Sequence, residues 1–238
     1  MRLQRQLFEQ GFVLKESKIH LKSDNEGSIF EAVKDIKRHR KELVRYIKMH
    51  PEFQHTLKPV TVPPEAPEII LSMADSAQKA DVGPMAAVAG ALADFGMKAM
   101  LRTSARIAVV EDGGEIAVTT DQPIIVALLS SYPKLSGRIG LSITKEDSPL
   151  GVATSSSKTG RVLSFGEADS VTIIAVNASL ADAAATAVCN VVAGENISES
   201  IQRGLKRSKE IEGVRGVIIV REGQTGLWGK LPRMISVK

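Results

Sequence analysis

The chain holds a single cysteine, Cys189, so neither an internal disulfide nor a cysteine cluster for zinc can form. Aromatic residues make up only 4% of it, which leaves few platforms for stacking single-stranded nucleic acid. Long apolar runs are missing as well. Stretches such as Met85 to Ala93 and Val217 to Val220 fall far short of the roughly 20 residues of a membrane span. Met1 to Lys15 mixes charges with apolar residues and lacks the apolar centre of a signal peptide. No segment is of low complexity, and none repeats at a period of roughly 20 to 50 residues. The four histidines all lie at or before His55, none at metal-ligand spacing from another His or Cys. That argues against a zinc site and against a locally built His triad. These absences lead us to expect a cytoplasmic protein without a membrane partner.

What is present is an ordinary globular balance. Hydrophobic residues make up 43% and charged residues 24% of 238, enough to bury a substantial core. Residues 1 to 60 hold 13 Lys/Arg against 8 Asp/Glu, while the remainder holds 18 against 19. A basic N-terminal third attracts phosphate-bearing partners, but is too mild to argue for nucleic acid. The helix carrying Lys34, Lys37, Arg38, Arg40, Lys41, Arg45 and Lys48 also holds Asp35 and Glu42, as a solvated face does.

Residues 3 to 22 read as short strands. From Ser28 to Met49 apolar residues recur at helical spacing, until His50-Pro51 stops them. Pro59, Pro63, Pro64 and Pro67 stiffen residues 58 to 67, the one candidate sub-boundary in what otherwise reads as a single domain, 1–238. Helices follow over about Glu68 to Lys79 and from Gly83-Pro84 to about Met97. Ile107 to Ile143 reads as strands, and VTIIAV at Val171 to Val176 as a buried strand. An Ala-rich helix begins near Ala181, a charged one covers about Ser198 to Lys209, and VRGVIIV and Met234 to Val237 close the chain as strands. Hairpin-like strand pairs with helices between them specify α+β. AVAGALAD (87–94) and ADAAATAV (181–188) echo each other as small-residue helices that permit close backbone approach, either inside the chain or across a homodimer surface.

Four segments could carry chemistry, and each also has a structural reading. In ADAAAT, Asp182 and Thr186 are four apart on one helix face, with Asn190 four further on. A carboxylate beside a hydroxyl can ligate a hard cation such as Mg²⁺; alternatively, Ser179 is the N-cap and Asp182 the acid of a capping box. In EDGGEI, Gly113 and Gly114 form a hairpin turn, or let backbone amides approach a ligand. Pro84 suits the first helical position after Gly83, where free amides attract phosphate, or simply begins a buried helix. In ATSSSKTGR, the hydroxyls of Thr154, Ser155 and Ser156 with Lys158 and Arg161 suit a phosphate, or form a polar surface loop. It is not a Walker A loop. Cys189, among small and apolar residues, reads as buried and inert.

VGPMAAVAG, VEDGGEI, TSSSKTGRVLSFGEADSVTI and ADAAATA occur in an order that resembles an archaeal and bacterial family related to ApbE, over about residues 40 to 238 and including YIKMHPEF. ApbE proper is an FAD:protein FMN transferase that needs Mg²⁺. The resemblance implies an ApbE-like T-fold: an antiparallel sheet with helices packed on one face. It implies that Asp182 and Thr186 hold the metal, that Gly113, Gly114 and Glu115 match a Gly-Gly-Asp turn, and that Thr154, Ser155 and Ser156 match a Thr-Ser-Gly segment. FAD or FMN would be the cofactor. The chain departs from the pattern: ApbE's His-x-x-Asp-Pro-x-Thr-Gly segment has no counterpart. Asp112-Gly-Gly-Glu115 stands where close relatives have Asn-Gly-Gly-Asp, and Gly160-Arg161 where they have Gly-His. The expectation is therefore a binder of a flavin or another phosphate-bearing nucleotide-like small molecule, either a Mg²⁺-dependent transferase or a non-catalytic binding or assembly module on the same fold.

Overall fold

The computed structural model describes residues 5–157 and 166–237. Strands β1 (Phe8–Leu14) and β2 (Ser17–Ser23) form a hairpin and lead into a long helix, α1 (Glu26–Met49). Its buried residues Ile29, Ala32, Ile36, His39, Leu43 and Tyr46 follow the helical period, so one face enters the core. Pro51 starts a short helix, α2 (Pro51–His55). Ala66, at the end of the proline-rich connector, is buried, and Val60 and Val62 pack on the main core. Then come α3 (Glu68–Ala80), a 3₁₀ turn at Pro84–Ala87, and α4 (Val88–Arg102), which runs five residues beyond the sequence-based end.

Strands β3 (Ala108–Asp112), β4 (Glu115–Thr119), β5 (Ile124–Ala127), β6 (Ile139–Ile143), β7 (Leu150–Ser155) and β8 (Ser170–Ala175) precede α5 (Ala178–Val191) and α6 (Ile197–Glu210). The chain closes with β9 (Val214–Arg221), β10 (Gln224–Gly229) and β11 (Arg233–Ser236). Among the described residues an eight-stranded antiparallel sheet has the order β1-β2-β3-β4-β7-β8-β9-β10. Its helix-side face carries Ala117, Ala153, Val171, Ile173, Val217 and Ile219, in one core with the helices. The opposite face carries Ile116, Val118, Val152, Ile174, Ile218 and Val220 and packs on Val126, Leu141 and Ile143 of a smaller sheet, β11-β6-β5. The fold is α+β with helices on one face, as expected. The second sheet is the addition: both faces of the central strands are covered, which is why all six residues of β8 are buried.

Two strands escape the sequence reading. β7 is hidden because its apolar positions are only Leu150, Val152 and Ala153, before a run of hydroxyls. β10 (QTGLWG) has too few apolar residues for its alternation to show.

The helical layer is fixed where α4 crosses α5. A Cβ at Gly90 would lie 2.1 Å from the Ala178 carbonyl oxygen, so only glycine admits this approach. The small-residue helices thus meet each other inside the chain. Asp94, 2% exposed, accepts hydrogen bonds from the amides of Ala178 and Ser179, both at 2.9 Å. The α5 N-cap is Asn177, whose side chain accepts from the Leu180 amide at 2.8 Å. The Ser179 cap inferred from sequence is corrected: the Ser179 hydroxyl bonds the Ser76 hydroxyl at 2.8 Å instead. Asp182, in turn, accepts from the Gly90 amide at 3.0 Å and from the Ala89 amide, both in the first turn of α4. Each helix therefore supplies the carboxylate that caps the other. Gly90→Ala is expected to cost about 3 kcal/mol or more and Asp94→Ala about 2 to 3 kcal/mol, read from urea unfolding midpoints. A Gly90→Ala protein as stable as the parent would mean that the helices do not cross here.

Candidate functional site

A cavity of about 870 Å³ begins where the main sheet stops pairing. β4 and β7 are joined through three residue pairs only, the last towards the β3–β4 turn being Ile116 with Val152. Beyond it β4 ends at Glu115, while β7 continues to Ser155 along β8. Thr154, Ser155, Ser156 and Glu115 line the cavity there, joined by Asp182 and Thr186 from the helical layer. In α5 from Ala178 to Asn190, only Asp182, Thr186 and Asn190 keep any exposure, so the polar stripe expected from the four-residue spacing is real.

Gly113 and Gly114 line the same cavity. They are also the hairpin turn, with φ of +70° and +123° between the paired Asp112 and Glu115. The hairpin turn expected of EDGGEI is present, and it lies on the cavity wall. A Cβ on Gly114 would meet no atom within 4 Å, so the glycine there answers to backbone conformation and not to crowding.

The hydroxyls are built in. Thr154 and Thr172 hydroxyls lie 2.9 Å apart, and those of Ser131 and Ser156 2.8 Å apart. Ser155 lines the cavity, and its buried hydroxyl has no hydrogen-bond partner among the described residues. Such an atom is costly unless something polar reaches it. The expectation of a polar surface loop is corrected for Thr154 and Ser155, which belong to β7, and for Ser156, which is buried beside it. Lys158 and Arg161 lie outside the described residues. Gly83 and Pro84 do not line the cavity. Gly83 is pressed on the Thr56 carbonyl, 2.0 Å from where its Cβ would stand, and Pro84 is buried, so this helix entry offers a phosphate no room.

The cavity also recruits residues that local sequence patterns cannot place. His20 reaches it from β2, opposite Glu111 in the ladder, and Ser130 and Ser131 from the segment after β5. Only strand register brings them here.

The carboxyls carry the electrostatics. Burial pushes Asp182 up to about 7, helped by the charges of Asp112 and Asp94 and opposed by the Gly90 and Ala89 amides. Burial also raises Glu115 well above the ordinary range, with Asp182 and Asp112 adding to it. Asp112 and Asp94 are both raised to about 6 by burial. Among the described residues no three His, Cys, Asp or Glu side chains converge as a metal cluster, so a cation here would lean on hydroxyls and a ligand's own oxygens. With these pKa values raised, the folded protein binds more protons than the unfolded chain from about pH 4 to about pH 7. The stability they contribute is fully present below the ordinary aspartate value of 3.8 and is lost as pH rises through 6 to 7. The urea midpoint should therefore be higher at pH 5 than at pH 7.5, with Glu115→Gln narrowing the gap. A gap unchanged in that variant would remove Glu115 from the account.

The chain resembles known proteins along nearly its whole length. The family model described as AbpE bacteria matches residues 5–223. The UPF0280 protein of Methanocaldococcus jannaschii is 38% identical over 96% of this chain and 93% of its own. That of Methanosphaerula palustris is 41% identical over 83% and 80%. Among solved structures, the ApbE protein of Thermotoga maritima superposes with a TM-score of 0.65 at 14% identity, covering 96% of this chain and 97% of its own. The flavin transferase ApbE of Vibrio cholerae gives 0.63 at 12% identity, covering 94% and 97%. At such identities the structures establish the shared fold, and the sequence relatives establish the kinship. No helix of the described residues is long and apolar enough to cross a membrane. By family model and by sequence relatives alike, the chain belongs to the ApbE-like UPF0280 family.

Proposed function

We propose that the cavity binds a flavin, as FAD or FMN, or another phosphate-bearing nucleotide-like molecule, with Mg²⁺ held by Asp182 and Thr186. The observation that carries this is convergence. Gly113, Gly114, Thr154, Ser155, Ser156, Asp182 and Thr186 come from three separate segments of sequence and line one cavity. Its volume, about 870 Å³, lies in the usual range for small-molecule sites. The solved ApbE structures add the fold of a flavin transferase.

The donors fit a hard cation. Asp182 offers a carboxylate oxygen and Thr186 a hydroxyl one turn away, leaving room for water and phosphate oxygens. A bound Mg²⁺ would draw charge from a leaving phosphate and so suit nucleotidyl- or phosphoryl-type transfer. The protein's own part is positioning. The Ser155 hydroxyl would donate to a phosphate oxygen, and the Gly113-Gly114 turn, free of side chains, would let the ligand lie against backbone. His20, Glu9, Glu111 and Glu115 line the cavity with groups able to take a proton from an attacking hydroxyl, Glu115 least readily because burial favours its neutral form. None stands in a His-x-x-Asp-Pro segment, and this absence favours the second reading, a binding or assembly module without transfer.

Fluorescence titration separates the outcomes. FAD should bind with an affinity that rises with Mg²⁺. Thr186→Val should weaken the Mg²⁺-dependent part about tenfold, the loss of roughly one charge-assisted contact. This variant keeps the α4 cap that Asp182→Ala would remove. Binding of FAD with no turnover of it, in the presence of Mg²⁺ and hydroxyl acceptors, would select the module; no binding of FAD, FMN or Mg²⁺ would end the nucleotide reading.

A further inference from the structure

A second cavity, about 530 Å³, lies between α1, the start of α4 and the β3–β4 turn, and shares Gly113 and Glu115 with the first. Its walls are apolar: Leu43 and Ile47 from α1, Met85 from the 3₁₀ turn, and Val88 and Leu92 from α4. Its polar floor is Asp112, only 2% exposed. One side of that carboxylate is bonded by the Ser17 side chain, and among the described residues Oδ2 has no partner. A charged oxygen held out of water without a donor is a large unmet cost, and Asp112 stands at a cavity able to admit one.

We infer that this second cavity binds an aliphatic primary amine, its ammonium meeting Asp112 and its chain lying along the α1–α4 wall. Charge selects an amine over an alcohol. Asp112 and Glu115 both line the cavity, and Asp112 carries the oxygen that lacks a donor among the described residues. Of the two cations on the lining, Arg40 is paired with Glu16 while its charge also reaches Asp112, and Lys48 is solvent-exposed. A compact ammonium supplies three donors to a floor that lacks one, and an apolar tail covers Ile47, Met85 and Val88, which are only partly buried. The site stands apart from the proposed nucleotide site in its binding groups: its lining includes neither Asp182, Thr186 nor the serines of the first cavity.

The test uses n-hexylamine as probe, hexan-1-ol as its neutral match, and Nα-acetyl-lysine amide as the form presented by a partner protein. Binding is followed through backbone amide chemical shifts of the full chain near neutral pH. Hexylamine should give saturable shifts at Val88, Ala89 and Gly113. Hexan-1-ol should bind about tenfold more weakly, and Asp112→Asn should weaken hexylamine about tenfold, for the lost charge-assisted bond. Val88→Phe, which fills the cavity without touching its floor, should abolish the shifts. Acetyl-lysine amide binding as well as hexylamine would assign the site to a partner's lysine; hexylamine alone would assign it to a free amine. No saturable shift with either amine, hexan-1-ol binding as tightly as hexylamine, or hexylamine affinity unchanged in Asp112→Asn overturns the inference. FAD takes no part in the measurement, so its outcome is read apart from that of the first cavity.

Discussion

Asp94 and Asp182 hold α4 and α5 by each other's N-termini, and the rest of the helical layer takes its place around that exchange. A helix start carries unpaired amides and about half a positive charge, and both are unaffordable in a core. Here two starts are buried at one crossing. Asp94 serves two amides of α5, and Asp182 serves two of α4. Gly90 permits the close approach that makes both exchanges possible. Burial raises both acids, so neither is a comfortable carboxylate on its own. The amides and the helix dipoles offset that cost, each by an amount on the order of 1 to 2 kcal/mol.

The two acids play the same part but are not equivalent. Asp94 is sealed, with one amide at each oxygen. Asp182 keeps some exposure, and that exposure faces the cavity. The difference comes from the sheet beneath. β4 and β7 pair over so short a stretch that the sheet opens just where α5 passes. A structural cap thereby becomes a residue a ligand can reach. Asp182 does cap a helix, as ADAAAT suggested, but the helix is α4 and not its own.

How much of this could be read from the residues depends on how local each signal is. The polar stripe Asp182–Thr186–Asn190 and the Gly113-Gly114 turn were legible because four-residue spacing and positive φ are properties of a few consecutive residues. So were the buried face of α1 and the fully apolar β8. The reciprocal caps were not, because Asp94 and Ala178 are 84 positions apart. His20 and Ser131 were missed for the same reason, since only the ladder register and the second sheet carry them to the cavity. Gly83-Pro84 misled in the opposite direction. Its local pattern is that of an anion-binding helix start, but the chain at Thr56 occupies the space the anion would need.

The β3–β4 turn is where these strands of argument meet. It is two glycines long, so Asp112 and Glu115, which pair across it, are held at nearly the same height. Alternation along the strands turns neighbouring side chains to opposite faces, and the turn restores them to a common edge. Asp112 therefore closes the floor of one cavity, while Glu115, on the longer side chain, lines both. Any charge that enters either cavity changes the field at Glu115, and through it the field at Asp182, whose carboxylate already weighs on Glu115. Glu115 is thus the titratable side chain that the two cavities have in common, and the two-glycine turn is what puts it there.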